Sequence, residues 1–235
     1  MKKYIYMILS GIFLIAFMFA ICGYLLLTTS YVDNSLYILD GKTICIDPGH
    51  GGKDPGKVGT IENEDKINLK VAQELKSILM TMGANVVLTR DNDNGLFEDG
   101  SIQWSKKSDM RIRREIIKES KCDAMVSIHM NSHTDNSRGA QVLYLQNHEK
   151  SETLAKYIKE ELDNTSQFSK HRQIKPRNDL YILKNDNTAS ILIECGFISE
   201  PEEEKLLNDE DYQKQIAKYI SLGLVKYFYS DKPLS

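Results

Sequence analysis

The feature that most restricts this chain is a run of 24 residues without a charge, Tyr4 to Leu27, Y-I-Y-M-I-L-S-G-I-F-L-I-A-F-M-F-A-I-C-G-Y-L-L-L. A helix needs about 20 apolar residues to span a bilayer. A secretory signal has a shorter apolar core, about 7–15 residues, and a small-x-small cleavage site. Ala20-x-Cys22 is a weak version of that site. Phe19-Ala20-Ile21-Cys22 is a poor lipoprotein box, because the residue before the cysteine is too large. A soluble helix is rarely apolar all round over such a length. The expectation is an uncleaved signal anchor over 4–27, with secretion after late cleavage as the alternative. Lys2 and Lys3 hold a short tip, residues 1–3, in the cytoplasm and send the rest outside.

The remaining 205 residues are enough for one domain with a proper core. Residues 1–30 contain two lysines and no acid, so 31–235 carries a formal charge of −5 against −3 for the whole chain. That balance, with no basic stripe to neutralise phosphates, argues against nucleic acid as a partner. Cys45, Cys122 and Cys195 sit in or beside apolar runs without CxxC spacing. They read as buried free thiols acting as small hydrophobes.

Beyond a stalk over 28–41, strand-like and helix-like stretches alternate. Strands are expected at 43–47, 85–90, 124–128, 140–145, 180–183 and 191–194. Helices are expected at 65–82, 109–120, 151–162, 202–208 and 211–229, with a long loop over 91–107 that holds Trp104. Ile67, Val71, Leu75, Ile78, Leu79 and Met82 form one helical stripe, closed by Gly83. This order predicts a single α/β domain with a central, mostly parallel or mixed sheet and helices on both faces. Ligands of such sheets bind beyond the carboxyl ends of the strands.

The first strand runs into I44-C-I-D-P-G-H-G-G-K-D-P-G-K-V-G59. A phosphate loop would need Ser or Thr after Gly52-Lys53, where Asp54 stands, and no dinucleotide fingerprint is present. A tight turn with an incidental histidine, or a metal ligand at a strand end, remains. Other strand ends add candidates. V-S-I-H-M-N-S carries His129 and Asn131, I-L-I-E-C-G-F carries Glu194, and Glu64 opens the first helix of the domain. A lone strand histidine is usually a satisfied core residue, and a glutamate at a helix start usually just favours the helix dipole. A carboxylate closing an apolar strand is harder to dismiss, because burying it unpaired is costly. Two histidines and a carboxylate are the ligand set of many catalytic zinc sites.

Five motifs in order, I-D-P-G-H-G-G-x-D-x-G, E-D-K-I-N-L, V-V-L-T-R, V-S-I-H-M-N-S and I-E-C-G-F-I-S-E-P-E-E-E, resemble the zinc-dependent N-acetylmuramoyl-L-alanine amidases of the type-3 catalytic family. The resemblance covers residues 42–229 and leaves a tail at 230–235. It implies that His50, Glu64 and His129 hold one zinc ion per chain and that Glu194 is the catalytic carboxylate. It implies cleavage of the amide between the lactyl group of N-acetylmuramic acid and L-alanine of the stem peptide. The chain departs from the family at Glu64-Asp65-Lys66, where Glu-Lys-Asp is usual, and at Met130, where alanine is frequent.

Size, one anchor and no wall-binding module make it most similar to the spore-cortex amidases of endospore formers. For those enzymes the resemblance implies a place between the forespore and mother-cell membranes and an extracytoplasmic lipoprotein partner. The partners expected are thus glycan strands with stem peptides, and such a lipoprotein. Arg177, with Arg172 and Lys175, could touch the acidic stem peptide, and Asn131 could line the site; a solvated charge cluster is the plainer reading. His133, His148 and His171 read as solvated, with His133 the one substitute ligand. The competing functions are a glycan-binding protein of the same fold that does not cut, and a zinc peptidase acting within the stem peptide.

Overall fold

The computed structural model describes residues 2–29, 37–96, 105–135, 137–164, 172–185 and 187–229. Part of the expected stalk, Trp104, His171 and the tail at 230–235 lie outside them. The chain divides into two units, Met1–Leu36 and Tyr37–Ser235. The first holds helix α1, Lys2–Thr29. Its stretch Lys3–Tyr24, 22 residues of mean hydropathy 2.5, is long and apolar enough to cross a membrane.

The second unit is built on one six-stranded sheet. Its strands are β1 (Thr43–Pro48), β2 (Asn85–Leu88), β3 (Ala124–Asn131), β4 (Gln141–Leu145), β5 (Lys175–Arg177) and β6 (Ala189–Phe197), in the spatial order β2-β1-β3-β6-β4-β5. All neighbouring pairs are parallel except β4 and β6, which run antiparallel. The helices are α2 (Glu64–Thr81), α3 (Lys106–Ser120), α4 (Glu149–Leu162), α5 (Pro201–Leu207) and α6 (Glu210–Tyr229).

Alternation along the central strands sorts their side chains onto two cores. Ile44, Ile46, Val126, Ile128, Ile191 and Ile193 join Val71, Leu75, Ile158 and Ile220 in the larger one, beneath α2, α4 and α6. Cys45, Met125 and Leu192 face the other way and pack with Ile117 of α3 and with Ile182 and Leu183. Strands covered on both faces read as unbroken apolar runs, which is why I-C-I and I-L-I were legible as strands.

Two local readings change. Residues 180–183 form no strand: Tyr181–Leu183 is a single 3₁₀ turn. Ile182 and Leu183 are both buried, a pattern that an alternating strand covered on one face would not show. The edge strand is instead Lys175–Arg177, disguised by Pro176 and two cations. α3 begins three residues earlier than 109, because Ser105 and Ser108 cap each other's backbone N–H groups. Cys45, Cys122 and Cys195 are buried free thiols.

Candidate metal centre

Three side chains meet at the carboxyl ends of β1 and β3. His50 follows β1, the half-buried His129 lies near the end of β3, and Glu64 is the first residue of α2. One ligand atom from each lies within 4.8 Å of the others. Glu64 Oε1 lies 3.3 Å from His50 Nε2 and 3.0 Å from His129 Nδ1. It also accepts from the Met130 N–H at 3.1 Å, while Oε2 accepts from the Lys57 N–H at 2.8 Å. The two imidazoles meet edge to face, with centroids 4.9 Å apart.

The glycines around His50 follow from this crowding. A Cβ on Gly49 would stand 2.2 Å from His129 Nε2. One on Gly56, at φ +64°, would stand 2.6 Å from Glu64 Oε2 and 2.7 Å from His50 Cδ2. His50 itself adopts φ 62°, a region that costs a residue with a Cβ energy unless its surroundings enforce it. Two buried arginines enforce it. Arg113 donates to the carbonyls of Pro48, at 2.7 Å, and His50. Arg90 donates to those of Pro48 and Gly49, both at 3.0 Å.

Asp47 anchors Arg113 at 2.8 Å and accepts from Thr89 and Ser127 hydroxyls, both at 2.7 Å. Burial opposes its charge, but Arg113 and those hydroxyls outweigh it and hold the pKa down at about 2.

Electrostatics separates the two glutamates. Burial disfavours the charge on Glu64, yet the hydrogen bonds to His129 and His50 outweigh it and keep its pKa below the ordinary carboxylate range. Burial also opposes a charge on His50; the hydrogen bonds and charges of Glu64 and Asp54 prevail and raise its pKa to about 9. Glu194 behaves oppositely. Burial dominates there, and its carboxyl is pushed up despite His129. Its Oε2 is buried with no hydrogen-bond partner. A carboxyl whose pKa burial raises, with a free oxygen beside a dense ligand cluster, is suited to exchanging protons.

Asp54 was not singled out in the sequence. It accepts from His50 Nδ1 at 3.0 Å, leaving Nε2 directed at Glu64, and Lys106 Nζ lies 3.3 Å from its other oxygen. Its place four residues after His50 was the available signal. Arg113 carried one too, four residues after Asp109 on a helix, where the two now pair at 2.6 Å.

The other candidates have partners of their own. Asn131 accepts from the Ser132 N–H through its side chain. Arg177 pairs with Asp179 at 2.6 Å, and its charge is felt by Glu194. Arg172 donates to the Arg138 carbonyl and covers the Phe197 ring. His133 is exposed and pairs with Asp135. His148, expected to be solvated, is half-buried and caps α4 by accepting from the Ser151 N–H. Glu203 and Glu204 do more than favour a helix dipole. Glu203 accepts from the N–H groups of Gly139 and Phe197, and Glu204 from those of Thr60 and Ile61.

Known proteins resemble this chain in sequence and in fold. Residues 44–226 match the family described as N-acetylmuramoyl-L-alanine amidase, Amidase_3. The germination-specific N-acetylmuramoyl-L-alanine amidase of Bacillus subtilis is 36% identical over 197 residues, 81% of each chain. The CwlD amidase from Clostridioides difficile, solved in complex with the GerS lipoprotein, superposes with a TM-score of 0.77 at 38% identity, over 81% of this chain and 100% of that one. An N-acetylmuramoyl-L-alanine amidase from Clostridium difficile 630 gives 0.71 at 29% identity, over 83% of this chain and 100% of that one. The match over nearly the whole folded unit, in sequence and in structure, assigns this chain to the Amidase_3 family of N-acetylmuramoyl-L-alanine amidases.

Proposed function

We propose that this amidase cuts the amide between N-acetylmuramic acid and the L-alanine of the stem peptide, using one zinc ion held by His50, Glu64 and His129. The observation that carries the reading is the convergence of those three ligand atoms within 4.8 Å beside the unpartnered Oε2 of Glu194. Two imidazoles and a carboxylate suit zinc and leave a position open. Bound there, zinc would supply a Lewis acid that polarises the scissile carbonyl and lowers the pKa of a water from about 15.7 towards about 7.

The chain's own groups supply the rest. Glu194 accepts the proton of the attacking water on Oε2 and delivers it to the departing amine nitrogen. Asp54 holds the His50 ring by Nδ1, and Arg90 and Arg113 hold the backbone that carries it. A glycan-binding protein that does not cut would have no use for a buried carboxyl without a partner.

Mass spectrometry of peptidoglycan after incubation with the zinc-loaded protein tests the bond. Whole stem peptides with a free L-alanine amine are expected. Shortened glycan or cuts inside the peptide would reject the assignment.

Likeness to a germination-specific amidase and to an amidase in complex with a lipoprotein supports a narrower reading. In it, α1 anchors the enzyme, residues 42–229 act outside the membrane between forespore and mother cell, and a lipoprotein is the partner. The role is spore cortex maturation. Cells lacking the protein should then make cortex without muramic lactam, since the peptide must leave before the ring closes. Normal lactam would reject the cortex role and leave the chemistry standing. Protease added to protoplasts should degrade the domain, and full protection would reject the exported topology.

A further inference from the structure

Although the chain as a whole is acidic, helix α3 gathers cations. Lys107, Arg111, Arg114, Lys118 and Lys121 recur at steps of four and three residues. At 3.6 residues per turn the first four fall within an arc of about 60°, and Lys121 follows as the C-cap in the left-handed region. The stripe corrects the expectation that the chain has none, and it borders a groove that begins at the metal cluster. A cavity of about 170 Å³ touches His50, His129, Lys106 and Met110. Lys106 and Met110 also line a cavity of about 590 Å³ that reaches Arg111 and Tyr181. Arg111 and Tyr181 in turn border a third, about 730 Å³, walled by Arg114, Lys118 and Lys121 and by Lys184 opposite.

Among the described residues, Glu115 is the one acid lining that outer cavity, 3.4 Å from Arg111. Arg114 fixes the far wall: its guanidinium lies 4.6 Å from the Tyr181 ring centroid and donates to the Lys184 carbonyl. The inner cavity also carries Asp47, Asp54 and Asp109, so the excess of cations lies in the outer part of the groove, where it concentrates counter-ions of the other sign.

We infer that this groove binds the stem peptide whose amide is cut, through the peptide's free carboxylates, with its amino end at the metal cluster and its carboxyl end towards Lys121. The inference rests on the function proposed above and names the subsite that function leaves open. Dimensions agree. From Lys107 to Lys118 the helix advances about 17 Å at 1.5 Å per residue. A fully extended pentapeptide spans at most about 17 Å. Aliphatic stems of the lysines and Met110 would cover the peptide's methyl groups while the charged tips meet its carboxylates.

The test uses the full chain in detergent and two ligands, a free stem pentapeptide and the same peptide with its carboxyls converted to amides. Calorimetry measures binding, so no bond need be cut. The native peptide should bind about tenfold more tightly than the amidated one at low salt, with the gap closing at about 1 M, where the Debye length falls to about 3 Å. In Arg111→Gln/Lys118→Gln, both exposed positions, the preference for carboxylates should shrink several-fold. With N-acetylmuramoyl pentapeptide as substrate, KM should rise in that variant while kcat stays near wild type. Equal binding of the two peptides by wild type, or an undiminished preference in the variant, would overturn the inference. If carboxylates are preferred but the amide is never cut, the groove stands and the proposed reaction fails.

Discussion

Glu194 stands directly opposite His129 in the parallel ladder between β3 and β6, so one step of sheet register sets the proton-exchanging carboxyl beside a proposed metal ligand. Both residues occupy the positions that alternate with Ile128 and Ile193, which point into the larger core. A slip of one residue in either strand would turn its side chain to the opposite face.

That relationship predicts separable roles. Glu194→Gln keeps the shape of the side chain but removes its capacity to take a proton. Turnover should fall by about 10²-fold or more, with zinc content and thermal midpoint close to wild type. A variant with near-normal turnover would make Glu194 a structural residue.

His129→Ala should lose most of its zinc, measured by metal analysis after dialysis. His133→Ala should keep it, because His133 is exposed and pairs with Asp135 rather than with the cluster. Zinc retention in the first variant, or loss in the second, would overturn the ligand assignment.

Asp54→Asn tests the support behind His50. The partner that orients a ligand histidine is typically worth about 10–100-fold in metal affinity. Competition against a chelator should show that loss, with the fold intact. Wild-type affinity would mean that Arg90 and Arg113 position His50 without Asp54's help.

Asp47 should contribute to acid stability. Its pKa is lowered to about 2 in the folded protein from 3.8. A depressed carboxylate stabilises the fold fully above its unfolded pKa, and the contribution disappears as pH falls through the folded one. Between about pH 4 and pH 2 it should lose on the order of 2 kcal/mol. Asp47→Asn should flatten that limb of the stability curve, and should also destabilise the protein at neutral pH by leaving Arg113 with Asp109 alone. Urea titrations across pH would show both, and an unchanged acid limb would place the sensitivity elsewhere.

Local signals in the chain were enough to determine the alternation of strands and helices, the apolar 24-residue run, and the strand ends that carry His50, His129 and Glu194. Each depends on residues within one element: apolar periodicity, glycines at a turn, a polar residue closing an apolar run. Tertiary structure decided what those residues meet. Gly49 makes room for a histidine 80 positions away, and Arg113 reaches back 63 positions to the His50 carbonyl. Contacts over such distances leave no periodic trace. The 3₁₀ turn at Tyr181–Leu183 was misread for the same reason, since its buried pair answers to α3 rather than to its sequence neighbours. The cations of α3 were all visible in the sequence, but only the helix and the wall opposite it turn them into one side of a groove.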